Sequence, residues 1–234
     1  MNRNSNTYTF IYASVMVIIV AAILSYAAIS LKPYQTRNIE IEKKQNILAS
    51  VNITTTPADA EAVYAEKITD SYVLNSKGEK VEGVDAFGID MKKEHAKKIA
   101  DRNFPVYEAN LGAEGTKYVV PVYGSGLWGP IWGYISFDDD MNTIYGAFFD
   151  HQGETPGLGA EIATAGFQQP FQGKTIFDDN GKFVSITVAK KGEAAPEMHK
   201  VDAISGGTIT SKGLQEMLLN DLSCYTDFFK QNKK

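Results

Sequence analysis

The stretch Asp202-Ala203-Ile204-Ser205-Gly206-Gly207-Thr208-Ile209-Thr210-Ser211 combines a pliable backbone, a cluster of hydroxyls and one acid. Directly after it, Leu214, Met217, Leu218 and Leu222 recur at i, i+3, i+4 and i+8, which predicts a helix with one apolar face. Thr210 or Ser211 is the expected N-cap. A Gly-rich, hydroxyl-bearing loop at a helix N-terminus suits a phosphate. The same string also reads as a plain Gly-Gly turn before a capped helix.

Upstream of this stretch, strand signals are dense. Lys117-Tyr-Val-Val-Pro-Val-Tyr123 and Ile131-Trp-Gly-Tyr-Ile-Ser-Phe137 flank the loop Gly124-Ser-Gly-Leu-Trp-Gly-Pro130. Met141 to Phe149 is a third strand and Phe183 to Ala189 a fourth, entered by a hairpin at Thr175-Ile-Phe and Asp178-Asp-Asn-Gly181. Tyr72-Val-Leu-Asn75 with the Lys77-Gly-Glu79 turn predicts another hairpin, residues 58–69 a short helix, and Met91 to Ile99 an exposed charged helix or loop. Strands follow one another in sequence with helices near the two ends, so the fold class is α+β with an antiparallel sheet.

The 234 residues suffice for one globular domain with an appendage, and the formal net charge is -5. Basic residues are outnumbered and form no dense run, so no nucleic-acid partner is expected. One cysteine, Cys224, excludes intramolecular disulfides and argues against cysteine-ligated metal, and three scattered histidines show no metal-ligand spacing.

The appendage is the uncharged run Phe10 to Ile29. As a helix it measures about 30 Å, a bilayer's hydrocarbon thickness, with Tyr8, Tyr12 and Tyr34 near its ends as interfacial aromatics. It is too long for a signal-peptide core and no cationic region precedes it beyond Arg3, so a retained single span is expected. Arg3 on one side, against Lys32, Arg37, Lys43 and Lys44 on the other, would naively leave the large domain in the cytoplasm. Glu40 and Glu42 dilute that margin, and the rule does not decide the orientation. Residues 32–57 are expected as a largely helical stalk, broken at Thr54-Thr-Thr-Pro57.

Three loops between the strands carry further chemistry. In Gly124 to Gly129 the glycines allow close backbone approach, and Trp128 either lies against a flat ring or fills the core. His151-Gln-Gly-Glu-Thr-Pro-Gly-Leu-Gly159 sets His151, Glu154 and Thr155 in a loop stiffened by Pro156. Val188-Ala-Lys-Lys-Gly192 places two cations at a strand end. Together they suit a planar, phosphate-bearing cofactor such as a flavin. No GxxxxGK[ST] or GxSxG motif is present, and there is no GxGxxG in a βαβ unit.

Asp202-Ala-Ile-Ser-Gly-Gly-Thr208 resembles the flavinylation signature of the FMN-binding domain family: Asp, a spaced Ser or Thr, Gly, usually Ala, and a terminal Thr or Ser. Gly126-Leu-Trp128 and the His151–Gly159 loop are similar to other signatures of this family, in the same order. With the anchor and the stalk Lys32-Pro-Tyr-Gln…Asn-Ile-Leu48, nearly the whole chain resembles the NqrC family, the C subunits of the Na+-translocating NADH:quinone reductase.

The resemblance implies a membrane flavoprotein subunit with residues 1–9 as tail, 10–31 as transmembrane helix, 32–57 as stalk and 58–234 as FMN-binding domain. It makes Thr208 the acceptor of covalent FMN through a phosphoester, Ser205, Gly206 and Gly207 its loop, and Asp202 the acid required for modification. Leu127, Trp128, Glu154, Thr155 and Leu158 become isoalloxazine or ribityl neighbours. The family's Lys-Gly is matched by Lys191-Gly192, with Lys190 as near alternative. Gly207 departs from the usual Ala, which loosens the turn without removing the acceptor.

No base stands ready to activate a threonine hydroxyl, and the resemblance implies a separate FMN transferase with FAD as donor. It implies no catalytic or metal residues in this chain and no turnover alone. The partners implied are the other reductase subunits, relaying electrons towards quinone, and membrane lipid around the span. The domain is placed on the periplasmic side of a bacterial inner membrane, against the charge count. The Rnf complex G subunit shares anchor, domain and flavin site, and an anchored FMN-binding module without redox role is the reading from another class.

Overall fold

The computed structural model describes residues 5–190 and 192–233. The chain divides into two compact units, Met1–Lys43 and Lys44–Lys234.

The first unit consists of helix α1 (Asn6–Ser50) up to Lys43. Ser5 opens the helix, its Oγ accepting from the Tyr8 amide at 3.2 Å. The apolar run is long and hydrophobic enough to cross a membrane, and none of it is buried in protein. Pro33 lies inside the helix and brings no amide for the carbonyl one turn earlier, that of Ile29.

The second unit begins within the segment expected as stalk. Ile47, Leu48 and Val51 are fully buried in it. The helix is closed by Asn52 at φ 61, with the Ile53 amide bonded back to the Leu48 carbonyl. Then follow α2 (Ala60–Lys67), β1 (Ile68–Leu74), β2 (Lys80–Val81), α3 (Met91–His95), β3 (Phe104–Asn110), β4 (Thr116–Ser125), β5 (Pro130–Phe137) and β6 (Ile144–His151). Six of these form one sheet in the order β2-β1-β3-β4-β5-β6, every pairing antiparallel. Helix α4 (Ala165–Gln168) and a parallel pair, β7 (Thr187–Ala189) with β8 (Lys200–Asp202), lead to α5 (Thr208–Cys224) and α6 (Thr226–Asn232).

The period-2 alternation of the strands explains why both sheet faces are covered. Val106, Val120, Val122, Ile131 and Ile135 point to one face, where Leu214, Leu218 and Leu222 of α5 close the main core. Val73, Tyr107, Ala109, Val119 and Tyr134 point to the other, against Ile47 and Val51. There the Ser136 hydroxyl donates to the Ser50 carbonyl at 2.5 Å. Gly146 lies so close to that carbonyl that a Cβ would overlap it. Pro121 is tolerated in β4 because β3 pairs only as far as Val119, so no ladder bond is lost there.

The expected antiparallel α+β architecture is the one found, with local corrections. Strand β3 has no counterpart in the sequence reading. The strand expected over 183–189 shrinks to Thr187–Ala189, because Ser185 adopts φ 59 and the Val184 and Ser185 amides both turn to the Ile176 carbonyl. The hairpin before it reduces to one bridge, Phe177 with Phe183. The segment after Met91 is not wholly solvated. Glu94 is buried, taking the Asn103 amide at 2.9 Å and the Lys97 ammonium at 2.8 Å.

Candidate functional site

Three loops converge on the N-terminus of α5. The first joins β4 to β5 and is closed by the Gly126 amide donating to the Gly129 carbonyl at 2.8 Å. So tight a turn directs its long side chains outward: Leu127 is 48% and Trp128 69% exposed. Trp128 is therefore not a core residue, and its indole presents an open flat surface. The second loop follows β6. Gly157 at φ 75 lets the chain fold back, so that the Leu158 and Ala160 amides both reach the Thr155 carbonyl. Leu158 stays 41% exposed and Thr155 lies on the surface. The third loop, Ala203 to Gly207, starts where Asp202 pairs in register with Ala189 and turns through Gly206 at φ 76.

Glu154 joins these loops. It is only 5% exposed. Its Oε1 accepts from the Trp128 amide at 2.8 Å and its Oε2 from the Thr210 hydroxyl at 2.5 Å. Its own amide donates to His151 Nδ1 at 3.2 Å. The approach demands glycine on both sides: a Cβ on Gly126 would stand 2.5 Å from Oε1, and one on Gly159 would overlap Oε2. Packing supplies the remaining link, since a Cβ on Gly206 would lie 2.6 Å from the Leu158 side chain.

The expected cap is corrected here. Helix α5 starts at Thr208 with Gly207 as N-cap, three to four residues before the predicted cap, and has no side-chain capping bond. Thr210 and Ser211 are buried in the first turn and their hydroxyls turn elsewhere. Thr210 donates to Glu154, while Ser211 Oγ accepts from the Ile204 amide at 3.1 Å and so ties down the third loop. Both contacts join residues outside the helix, which is why helix periodicity does not reveal them.

The structure thus brings Leu127, Trp128, Glu154, Leu158, Ser205, Gly206, Gly207 and Thr208 to one end of α5. Ser205 and Gly206 are exposed and Thr208 is partly buried. Asp202 is exposed at the end of β8. Lys191 lies outside the described residues; Lys190, just after β7, is exposed. A Cβ on Gly207 would lie 3.0 Å from Ile204, so the methyl usual in the family would be a tight fit.

These residues fit FMN. A hydroxyl on the first turn of a 17-residue helix without a capping side chain suits a phosphate ester, favoured by the amide ends and the helix dipole. The exposed indole and leucine side chains offer apolar surface to a flat ring.

The comparisons with known proteins agree. The FMN-binding domain family model matches residues 126–223, which contain all three loops. The C subunit of the Na(+)-translocating NADH-quinone reductase of Haemophilus ducreyi is 32% identical, covering 91% of this chain and 88% of the relative. That of Neisseria meningitidis serogroup B is 31% identical, covering 92% and 88%. The crystal structure of the same reductase's C subunit from Parabacteroides distasonis superposes with a TM-score of 0.79 at 48% identity, covering 85% of this chain and 96% of that one. Shewanella oneidensis NqrC gives 0.70 at 26%, covering 83% and 97%.

Proposed function

This chain belongs to the NqrC family, the C subunits of the Na(+)-translocating NADH-quinone reductase, and from that membership we propose that it carries FMN esterified to the Thr208 hydroxyl and relays electrons within such a complex. The observation that carries the reading is the position of Thr208. It opens an uncapped helix, two residues after the glycine that packs on Leu158 and two before the threonine bonded to Glu154.

The placement of the residues supports a role for each. Thr208 holds the phosphate at the amide end of α5. Trp128, Leu127 and Leu158 flank the ring and keep water from one side of it, while Ser205 and Gly206 leave the backbone open to the ribityl chain. FMN supplies the electron-carrying chemistry that no side chain here possesses. Among the described residues no base is placed to activate Thr208, so attachment is the work of a separate FMN transferase, with Asp202 as the exposed acid it requires. The apolar helix anchors the chain in a bacterial inner membrane, in contact with lipid and the other reductase subunits, and the flavin domain faces the periplasm. The chain alone turns over no NADH.

Intact-mass measurement of the chain purified from its native membranes tests the attachment. The expected result is one FMN minus water on the wild type and none on Thr208→Val. A wild-type chain without the increment, or a Thr208→Val chain that keeps it, overturns the reading.

A further inference from the structure

We propose that Glu154 is a positioning residue rather than a flavin ligand: its buried carboxyl fixes the spacing between the Trp128 loop and the first turn of α5. This inference rests on the flavin reading above for its consequence, though not for its geometry.

Both carboxyl oxygens are aimed into the protein. Oε1 meets the Trp128 amide at 2.8 Å and Oε2 the Thr210 hydroxyl at 2.5 Å, in a residue only 5% exposed. A buried carboxyl with two chain donors is satisfied internally, and removing it strands both donors. The two donors belong to the two halves of the site. Trp128 carries the open indole, and Thr210 is two residues past the acceptor hydroxyl of Thr208. Beside the bridge stands one packing contact, Gly213 of α5 against the Ser125 carbonyl, which lies before the turn that carries Trp128. The loop holding Trp128 closes on itself by one bond, from the Gly126 amide to the Gly129 carbonyl, and the N-cap of α5 has no side chain to brace it. The absence of a Cβ on Gly126 and Gly159 leaves room for the carboxyl. The Glu154 side chain therefore ties the ring surface to the helix turn whose hydroxyl bears the phosphate.

Geometry and charge can be separated here. A glutamine at this position keeps an acceptor for the Trp128 amide and offers an N–H to the Thr210 oxygen, so it preserves the bridge while removing the carboxyl. The experiment compares wild type, Glu154→Ala, Glu154→Gln and Thr210→Val as full-length, detergent-solubilised chains, with and without FMN. Amide hydrogen exchange is followed over peptides covering 126–129 and 208–212, together with the visible absorption of the flavin. Glu154→Ala is expected to speed exchange in both segments at least tenfold and to shift the flavin bands. Thr210→Val loosens the same two segments more mildly, and provides the answer if Glu154→Ala fails to fold. Glu154→Gln should retain protection and spectrum.

Unchanged protection of 126–129 in both Glu154→Ala and Thr210→Val overturns the proposal. So does a Glu154→Gln chain with intact protection but a displaced flavin spectrum, since the carboxyl would then act on the flavin directly. The exchange arms in flavin-free chains do not depend on Thr208 carrying FMN. Failure of the attachment reading, seen by mass, is thus distinct from failure of the bridge.

Discussion

Two buried carboxyl groups hold α5 against the β4–β5 hairpin, Asp221 from within the helix and Glu154 from the loop facing its first turn. Each takes one backbone amide from the hairpin and one side-chain donor. Asp221 accepts from the Tyr123 amide at 2.6 Å and faces His95 Nε2 at 2.9 Å. Tyr123 lies beyond the last residue of β4 that β3 pairs, so this carboxyl serves an amide the sheet leaves without a ladder partner. Around it Leu218 and Leu222 are fully buried, and Tyr225 and Phe229 close the core behind. Glu154 is as deeply buried, yet its neighbours Leu127, Trp128 and Leu158 are open to solvent. The same device thus serves two ends: one pin is part of the fold's stability, the other part of a site's shape. Burial of a polar group alone does not distinguish them. What stands around it does.

Three substitutions sharpen or break this contrast. Asp221→Ala should have the largest effect, because it strands the Tyr123 amide and deprives His95 of its partner. Denaturant unfolding of the second unit is expected to show a loss of about 2–4 kcal/mol, while the folded fraction still acquires FMN. Retained stability would erase the distinction between the pins. Gly213→Ala tests the surface between them, where a Cβ would overlap the Ser125 carbonyl. Overpacking there should cost about 1–3 kcal/mol and lift α5 from the strand, read as a fall in unfolding midpoint. Trp128→Ala should leave unfolding within about 0.5 kcal/mol of wild type, since the indole is 69% exposed, and yet alter the absorption of the bound flavin. A large loss of stability would show that the indole belongs to the fold and not to the site.

Much of this is legible in residue order. Leu214, Met217, Leu218 and Leu222 are all buried, as their spacing requires, and the glycine-rich loops that the sequence sets apart do meet at one place. What escapes the sequence depends on partners remote along the chain. Strand β3 begins Phe-Pro and contains Glu and Ala, poor strand formers, and is held by β1 on one side and β4 on the other. Thr210 and Ser211 look like caps because a local reading offers their hydroxyls only their own helix. The partner of Thr210 lies 56 residues away. The end of α1 reads as stalk because nothing in Asn46-Ile-Leu-Ala-Ser50 announces that a sheet face waits to cover Ile47 and Leu48.

Pro33 in α1 has a consequence for the anchor. The carbonyl to which it offers no amide, that of Ile29, sits at the very end of the uncharged run. In hydrocarbon such a group costs several kcal/mol, whereas among hydrated headgroups water satisfies it. Sinking the helix by a turn in that direction would drag this weakened turn into the oil. In a bilayer the ring would therefore act as a draught mark for this helix, beside the charge that Lys32 places at the same level.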